Sequence, residues 1–513
     1  MGLDGSIGKS NSGFIEVILV DKEIERNQPT LPLRRRALLE LYPDTVDVTI
    51  SVVAYNRLET TKECVESILK YTTDIRYKLI LVYNESEQGE GILDYFQSVD
   101  YDNKLVIYVN KNAGLALATK EILKHIEGKY YVGLANDMIV TKNWLTNLIK
   151  CAESDVTIGM VAPVSSNVTN MQKVDLPFSD SEEMQEEAAK FNVSNPQKWE
   201  ERLRLVTIAP LITRDCLEAI GNMFDLGFFH DFSDDELSFR IRRAGYKCML
   251  AGDTWVHHDH DPYTRDPAKL GYSMQEGIKN FKEKYLGLDS WRDTNNLHME
   301  YVNAVWKCEA VKPRILGIDV KCGAPILQIK NKLRSFGMFN AELFAHTQNV
   351  EYCTDLLTIC GQGNVTCGTE NDLATCYIGQ KFDYIVVGEE INKYSDSIGF
   401  IKNLSELLNP DGQLFISLKN TDSILSLLHL LGYSNVQNND FCVNISDDYL
   451  CNKVKEMGLD IRHILSYIHV NTIISREEME QIQETLLPFA KVSSDELRRR
   501  LLADNYAYVI KKC

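Results

Sequence analysis

Residues 49–57, TISVVAYNR, decide the fold of the first half of this chain. The apolar, β-branched part of this stretch suits a strand that is buried on both faces, as in a parallel sheet. The run ends abruptly in polar residues at Tyr55 to Arg57, and apolar residues from Leu58 to Leu69 then recur at helical spacing. A strand that leads directly into an amphipathic helix predicts the first unit of an open α/β sheet.

The same alternation continues outward along the chain. Further strands are predicted at 79–82, 105–109 and 130–135, with a helical pattern between the last two. Parallel strands bring their carboxyl ends to one edge, and open α/β sheets bind ligands at that edge. The polar residues that follow the predicted strands are Tyr83, Asn84, Lys111, Asn112, Asn136 and Asp137.

A chain of 513 residues is long enough for two or three domains. In the second half, strands are predicted at 315–318, 384–387 and 414–418. The first residues include a strand-like run at 14–20 and a basic stretch at 34–36. The expected organisation is an N-terminal arm (1–45), a first α/β domain (46–262), a helical linker (263–312), a second, Rossmann-like α/β domain (313–437) and a mostly helical C-terminal region (438–513).

Composition and charge narrow the class of protein. The formal net charge of -18 argues against a nucleic-acid binder, whose phosphate contacts need a basic face. No apolar run reaches the length of a membrane span, and the N-terminus has no signal-peptide pattern. The 13 cysteines form no CxxC pair, so we expect reduced thiols and a cytoplasmic protein.

Two acidic groups are candidates for chemistry in the first domain. Asp137 follows an apolar strand and is a candidate ligand for a divalent cation, although an Asp in this place is often a turn or helix cap. Asp234, Asp235 and Glu236 open a helix that closes on basic residues, which also fits ordinary capping. A carboxylate at a helix start is held rigidly and is therefore a candidate general base.

Three histidines stand within four residues at 257, 258 and 260. Their spacing is not that of a zinc site, and no paired cysteines accompany them.

The order of these pieces resembles the family 2 glycosyltransferases over roughly residues 46–262. The matching segments are TISVVAYNR, LVYNES, NKNAGLALATKEIL, YYVGLANDMIVTKNWLTNL, GMVAPVSSNV, LITRDCLEAIGNMFD, DDELSFRIRRAGYKCML and WVHHDH. The resemblance implies a GT-A nucleotide-sugar-binding domain and inversion at the anomeric carbon.

The resemblance also implies roles for single residues. Asp137 matches the last acidic residue of the metal-binding DxD-type motif, whose first position is Ala135 here, and His257 matches a histidine that contacts diphosphate or metal. Asp234 matches the general base, Asp235 is the alternative base, and Glu236 matches a further acidic position. The residues expected to bind the nucleotide sugar are Ala54, Tyr55, Arg57, Tyr83, Asn84, Lys111, Asn112, Gly114, Asn136 and Asp137. Uracil would stack on Tyr83 or bond to Asn84, and Gly114 would let the backbone approach the diphosphate.

Residues 314–435 resemble the class I S-adenosylmethionine methyltransferases, through ILGIDVKCGAPIL, KFDYIVVGEEINKY and LSELLNPDGQLFISL. Gly317 stands where those enzymes carry an acidic residue, Asp319 where they carry the first loop glycine, and His346 where an acid holds the ribose. We therefore expect no S-adenosylmethionine here and favour a scaffold or acceptor-binding module.

The sequence thus predicts an inverting glycosyltransferase that uses a UDP-sugar donor and Mn²⁺ or Mg²⁺. It would move a hexose or N-acetylhexosamine to a bacterial protein such as flagellin, or to a surface polysaccharide. The acidic stretch 179–187 and the segment 192–199 are either a lid over the acceptor or solvated structure. Two other functions remain open: a bifunctional glycosyltransferase and methyltransferase, and an inactive glycan- or protein-binding scaffold.

Overall fold

A computed structural model of the chain describes residues 13–17, 46–86, 90–112, 114–259, 267–295, 299–424, 427–428, 443–468 and 475–512. It divides into two compact units, Met1–Trp291 and Arg292–Cys513, and each unit contains its own sheet. Of the predicted arm, only the strand at its start is described, and the basic stretch 34–36 lies outside the described residues, as does His260. None of the described helices has the length and apolar character that a membrane crossing requires.

Ten strands form the sheet of the first unit, in the order β1-β4-β3-β2-β5-β9-β7-β10-β6, with β8 beside β10. The strands are β1 (Gly13–Val17), β2 (Val48–Ala54), β3 (Tyr77–Asn84), β4 (Lys104–Val109), β5 (Tyr130–Ala135), β6 (Met138–Ile139), β7 (Ile158–Ser165), β8 (Trp199–Arg202), β9 (Leu211–Thr213) and β10 (Lys247–His258).

Helices cover both faces of this sheet, because side chains of successive strand residues point to opposite faces. In β3, for example, Leu79 and Leu81 pack into one apolar cluster, whereas Ile80 and Val82 pack into the other. The helices of the unit are α1 (Leu58–Tyr71), α2 (Ile92–Ser98), α3 (Gly114–Ala118), α4 (Trp144–Glu153), α5 (Ser181–Phe191), α6 (Arg214–Ile220), α7 (Ser233–Arg243), α8 (Pro267–Lys284) and α9 (Ser290–Thr294), the last of which contains the division between the units.

The direction of the strands determines where the site lies. Strands β4, β3, β2 and β5 are parallel neighbours, and β7 is parallel to β10. Strand β9 lies between β5 and β7 and is antiparallel to both, so β7 and β10 run in the same direction as β5. The carboxyl ends of β2, β5, β7 and β10 therefore meet at one edge of the sheet.

The second unit has a seven-stranded sheet in the order β13-β12-β11-β14-β15-β17-β16. Its strands are β11 (Arg314–Ile318), β12 (Glu342–Thr347), β13 (Val365–Cys367), β14 (Phe382–Glu390), β15 (Leu408–Lys419), β16 (Leu459–Ile468) and β17 (Ala503–Lys512). Its helices are α10 (Met299–Ala304), α11 (Ala324–Ser335), α12 (Cys353–Cys360), α13 (Leu373–Cys376), α14 (Ser397–Leu407), α15 (Asp447–Glu456), α16 (Arg476–Leu486) and α17 (Ser494–Leu502).

Both sheets confirm the predicted α/β class. The C-terminal region contains the expected helices, α15 to α17, and also two long strands that the sequence pattern did not predict. β17 inserts between β15 and β16 and is antiparallel to both.

Candidate functional site

Asp137 lies directly after β5, at the shared carboxyl edge of the first sheet. One carboxylate oxygen, Oδ2, is 3.5 Å from Nε2 of His258 and 3.8 Å from a guanidinium nitrogen of Arg57. Burial of this carboxyl opposes ionisation, but the hydrogen bond and charge of His258 and the charge of Arg57 outweigh it. They hold the pKa of Asp137 below its ordinary value. Asp137 is therefore an anion at neutral pH.

The second carboxylate oxygen of Asp137, Oδ1, is buried and has no hydrogen-bond partner among the described residues. An unsatisfied anionic oxygen is costly unless a cation or a donor occupies the space beside it. A divalent cation is a ligand of the required charge, and its preferred partners are carboxylate oxygens. Asp137 therefore fits the metal-binding role that the sequence predicted.

Within the described ranges, no cluster of three or more His, Cys, Asp or Glu side chains is arranged to hold a metal ion. Such a cation would thus take most of its ligands from phosphate oxygens and water, as Mg²⁺ does in nucleotide sites. His258 is the side chain best placed to join Asp137.

His257, the histidine predicted as a metal ligand, is directed elsewhere. Its Nδ1 lies 3.0 Å from the hydroxyl oxygen of Ser166, and its ring packs edge-on against Phe178. Because neighbouring residues of a strand point to opposite faces, the side chain beside Asp137 is that of His258. The histidine that lies beside Asp137 is therefore His258, whereas the sequence had predicted His257.

The three acidic residues at the start of α7 have different surroundings. Asp235 is 4% exposed and accepts hydrogen bonds from the Ser290 hydroxyl at 2.7 Å and from Arg204 at 3.2 Å. Glu236 is fully buried and accepts hydrogen bonds from Arg240 at 2.8 Å and Lys284 at 2.6 Å. Because both carboxylates are engaged in ion pairs, we interpret them as structural residues.

Asp234 is the member of this group whose carboxylate forms no ion pair with the described residues. The residue as a whole is half-buried, but its carboxyl group is surrounded by protein, and Oδ1 accepts a hydrogen bond from the Thr207 hydroxyl. Burial raises the pKa of Asp234 to about 6, and the neighbouring charge of Asp235 adds to this rise. A carboxylate whose pKa lies close to neutrality is suited to accept a proton during catalysis.

The segment that bonds to Asp234 leads into β9, a strand of the first sheet that pairs with β5. The strand is antiparallel to β5, with Leu211 opposite Val132. Residues that precede β9, among them Thr207, therefore extend toward the carboxyl end of β5. Because Thr207 bonds to Asp234, the candidate base lies beside the segment that leads into β9.

The turn after β2 is held in an unusual conformation. Asn56 and Arg57 both have positive φ angles, 56° and 62°, which non-glycine residues adopt infrequently. The Asn136 amide donates to the carbonyl oxygen of Asn56 at 2.9 Å, and Arg57 donates to the Asp259 carboxylate at 2.7 Å. These bonds hold Asn136 and Arg57 close to Asp137, and their part in a nucleotide pocket stays a prediction.

The predicted base-binding residues are arranged differently from expectation. Tyr83 is 6% exposed, and its ring stacks on Tyr108 with centroids 5.7 Å apart, so it offers no open face to a uracil ring. The Asn84 amide donates to Asn112 at 3.1 Å. Tyr55, which is 44% exposed, supplies the open aromatic surface after β2, where Ala54 is fully buried.

Gly114 is required by packing within the protein. Its φ angle is +71°, and a Cβ atom at this position would lie 2.5 Å from the ring of Phe229. The group that packs closely against Gly114 is thus the Phe229 ring, whereas the sequence predicted a diphosphate there. The half-buried Lys111 lies in the turn between β4 and this glycine.

The sequence did not indicate Thr207, Gln172 or Asp259 as candidate site residues. Thr207 and Gln172 acquire their positions only through the pairing of β9 and the loop after β7. Asp259 stood within the segment WVHHDH, and its position beside the histidines was the available signal.

In the second unit, a cavity of about 510 Å³ lies at the carboxyl ends of β11, β12 and β14. The strand order reverses there, which is where open α/β sheets bind ligands. The Asp319 carboxylate in this cavity accepts hydrogen bonds from the Gln348 backbone at 2.9 Å and the Tyr394 hydroxyl at 2.8 Å. His346 is buried and contacts Thr366 and the carbonyl oxygen of Thr369.

We expect S-adenosylmethionine to leave the melting temperature of the protein unchanged. Asp319 is already engaged, His346 faces away from the cavity, and a side chain at Gly317 would lie 2.7 Å from Val320, so no acidic residue fits there. A ligand at a hundred times its Kd would stabilise the native state by about 2.7 kcal/mol, which differential scanning fluorimetry detects. A rise in melting temperature that saturates with ligand would contradict this expectation.

The sequence of residues 49–207 matches the family model described as glycosyl transferase family 2. No curated protein matches the chain. The chain is similar to the solved structure of GalNAc-T7 with UDP, GalNAc and Mn²⁺, at 15% identity and a TM-score of 0.34. That likeness covers 42% of this chain and 44% of GalNAc-T7, less than half of either.

Two further solved structures are similar to parts of the chain. The mannosyltransferase PcManGT from Pyrobaculum calidifontis, in complex with GDP-Man and Mn²⁺, has 17% identity and a TM-score of 0.32, over 54% of this chain and 82% of that one. A SAM-dependent methyltransferase from Archaeoglobus fulgidus has 16% identity and a TM-score of 0.28, over 45% of this chain and 98% of that one.

Proposed function

We propose that this chain, a glycosyltransferase that carries a family 2 domain over residues 49–207, transfers a hexosyl or N-acetylhexosaminyl group from a UDP-sugar at the carboxyl edge of its first sheet. The acceptor is a hydroxyl group of a protein or a glycan. One observation supports the proposal: Asp137, which has a buried oxygen without a hydrogen-bond partner among the described residues, lies at that edge, and Asp234, whose pKa is about 6, is bonded to the segment that leads into β9 of the same sheet.

In the proposed reaction, Asp234 accepts the proton of the acceptor hydroxyl. The acceptor oxygen then forms a bond to the anomeric carbon, while the bond between that carbon and the diphosphate breaks. The base and the leaving group lie on opposite sides of the sugar, so the anomeric configuration inverts.

The negative charge that develops on the leaving diphosphate needs compensation. A divalent cation held by Asp137 and His258 would supply positive charge there. Arg57 contributes a further cation beside Asp137, and its position is fixed by Asp259. The open face of Tyr55 supports the base of the nucleotide.

Removal of the Asp137 carboxylate tests this arrangement. We expect the native protein to release UDP from at least one of UDP-glucose, UDP-galactose and their N-acetylhexosamine counterparts in the presence of Mn²⁺, and we expect Asp137→Ala to reduce that release by at least roughly 10²-fold. Asp94→Ala is the matched control, because Asp94 is an exposed helix residue. UDP release can be followed by a coupled colorimetric assay.

Two outcomes would contradict the proposal. Release of UDP by Asp137→Ala at the native rate would show that Asp137 takes no part in the reaction. The absence of release by the native protein with every donor, with and without an added sugar acceptor, would favour a binding scaffold over an enzyme.

A further inference from the structure

The segment that precedes β9 lies between the candidate base and the loop that follows β7. On one side, the Thr207 hydroxyl donates a hydrogen bond to the Asp234 carboxylate. On the other side, the side-chain amide of Gln172 contacts both backbone groups of Val206. It accepts from the Val206 nitrogen at 2.7 Å and donates to the Val206 oxygen at 3.1 Å.

Gln172 is itself firmly placed. The residue is fully buried, and its backbone oxygen accepts a hydrogen bond from the backbone nitrogen of Ser165, the last residue of β7. A buried amide with its polar atoms bonded cannot rotate without losing those bonds. The positions of Val206 and Thr207 therefore depend, through Gln172, on the end of β7.

We propose that Thr207 is a positioning residue for Asp234, and that Gln172 fixes Thr207 so that the base is held in one orientation and kept ready to accept a proton. This inference rests on the proposed function. It assigns to Thr207 and Gln172 a role that neither residue was predicted to have from the sequence.

Among the described residues, three act on the Asp234 carboxylate from the elements packed around it: Thr207, Arg204 and Asp235. Burial is the largest influence on Asp234 and raises its pKa, as does the negative charge of Asp235. The Thr207 hydrogen bond and the charge of Arg204 act in the opposite direction. Arg204 is itself paired with Asp235 at 3.2 Å, so Thr207 is the partner that bonds Asp234 directly.

The hydrogen bond from Thr207 favours the ionised form of Asp234, because a hydroxyl donates to a carboxylate more strongly than to a neutral acid. Without it, the carboxylate would take up a proton at higher pH. The rate of UDP release should therefore increase with pH through a midpoint near 6 in the native protein, and through a higher midpoint when Thr207 cannot donate.

The test is the pH profile of UDP release, measured with whichever UDP-sugar the native protein hydrolyses and with water as the acceptor. In Thr207→Val the midpoint is expected to rise by about one pH unit, the effect of one lost hydrogen bond to a carboxylate. Thr207→Ser keeps the hydroxyl and should restore the native midpoint. Gln172→Leu should also raise it, because Thr207 would no longer be held.

Thr73→Val is the control for the loss of a hydroxyl, since Thr73 is exposed and lies away from this edge. A Thr207→Val profile with the native midpoint, whatever its maximal rate, would overturn the inference, and so would a Thr207→Ser profile that is shifted as far as the valine variant. Two other results would contradict the proposed function itself. They are native activity in Asp234→Asn, and the absence of hydrolysis of any donor by the native protein.

Discussion

Replacing Asp234 with asparagine is expected to lower the rate of sugar transfer by roughly 10²–10⁴-fold, the usual contribution of a positioned general base. Asparagine has nearly the same size as aspartate and can still accept the Thr207 hydrogen bond, but it cannot take up a proton. Donor binding should remain close to native, because Asp137, Arg57 and Tyr55 are unchanged. Steady-state kinetics with the donor that the native protein uses, together with UDP binding by calorimetry, would measure both effects.

The stability of the Asp234→Asn variant provides an internal control. The folded protein raises the pKa of Asp234 from 3.8 to about 6, so the folded state holds this proton more tightly than the unfolded chain does. The stability that this proton contributes is present at low pH and is lost as pH rises through about 6. At pH 8 the ionised carboxylate costs the fold up to about 3 kcal/mol, so the asparagine variant should melt at a higher temperature than the native protein.

The alternative base is tested in the same experiment. Asp235 forms an ion pair with Arg204 and a hydrogen bond with Ser290, so Asp235→Asn should lower stability while leaving most of the activity of the folded molecules. If Asp234→Asn transfers sugar at the native rate and Asp235→Asn does not, the assignment of the base is wrong.

Replacing Glu236 with alanine is expected to destabilise the protein by about 2–4 kcal/mol, because it removes a fully buried carboxylate that is shared by the partly exposed cations Arg240 and Lys284. The Glu236 carboxylate binds Arg240, Lys284 and the Tyr285 hydroxyl. Arg240 in turn donates to the backbone oxygens of Ile220 and Met223, so it holds the chain that leads to Phe229. Urea denaturation followed by circular dichroism would give the free energy of unfolding.

Glu186→Ala is the matched control for this change, since Glu186 is exposed on α5, and its effect should remain within about 0.5 kcal/mol. The account of Glu236 as a structural residue would be contradicted by a variant that unfolds at the native urea concentration but has lost sugar transfer. That result would place Glu236 in the chemistry.

The strands of the first sheet were predictable because each is an apolar run that ends in polar residues. The predicted strand at 130–135 coincides with β5, Tyr130–Ala135, and those at 79–82 and 105–109 lie within β3 and β4. Strand β10 was not predicted in full from the sequence, and it continues from Lys247 to His258 through an irregular register. A bulge interrupts the alternation of side chains, so periodicity alone does not reveal such a continuation.

The C-terminal strands β16 and β17 were not predicted for a different reason. Both carry polar residues among their apolar ones, for example in ADNYAYVIKK, and the neighbouring segments have strong helix starts. The conformation of β17 is determined by pairing with β15, which lies about 90 residues earlier in the chain in the register of Leu418 opposite Tyr506, and β16 pairs in turn with β17. Local propensity contains no information about such a partner.

The site was predictable in its residue types but not in its side-chain partners. The sequence singled out Asp137 and, through the family resemblance, preferred Asp234 to Asp235 as the base, yet it gave no physical reason for that preference. The different environments of the acidic residues at 234–236 come from Arg204, Lys284 and Ser290, which lie 31, 48 and 55 residues away from their partners. His258, and not His257, faces Asp137, because the direction of each side chain at the end of β10 depends on the pairing with β6.

The most direct test of this account is a crystal structure of the protein with UDP and Mn²⁺, in which anomalous scattering locates the metal. We expect the manganese peak to lie within coordinating distance, about 2.2 Å, of the Asp137 carboxylate, with the diphosphate beside it and the Asp234 carboxylate facing the space left for the sugar. A manganese peak remote from Asp137, or Asp234 on the far side of the sheet from the diphosphate, would contradict it.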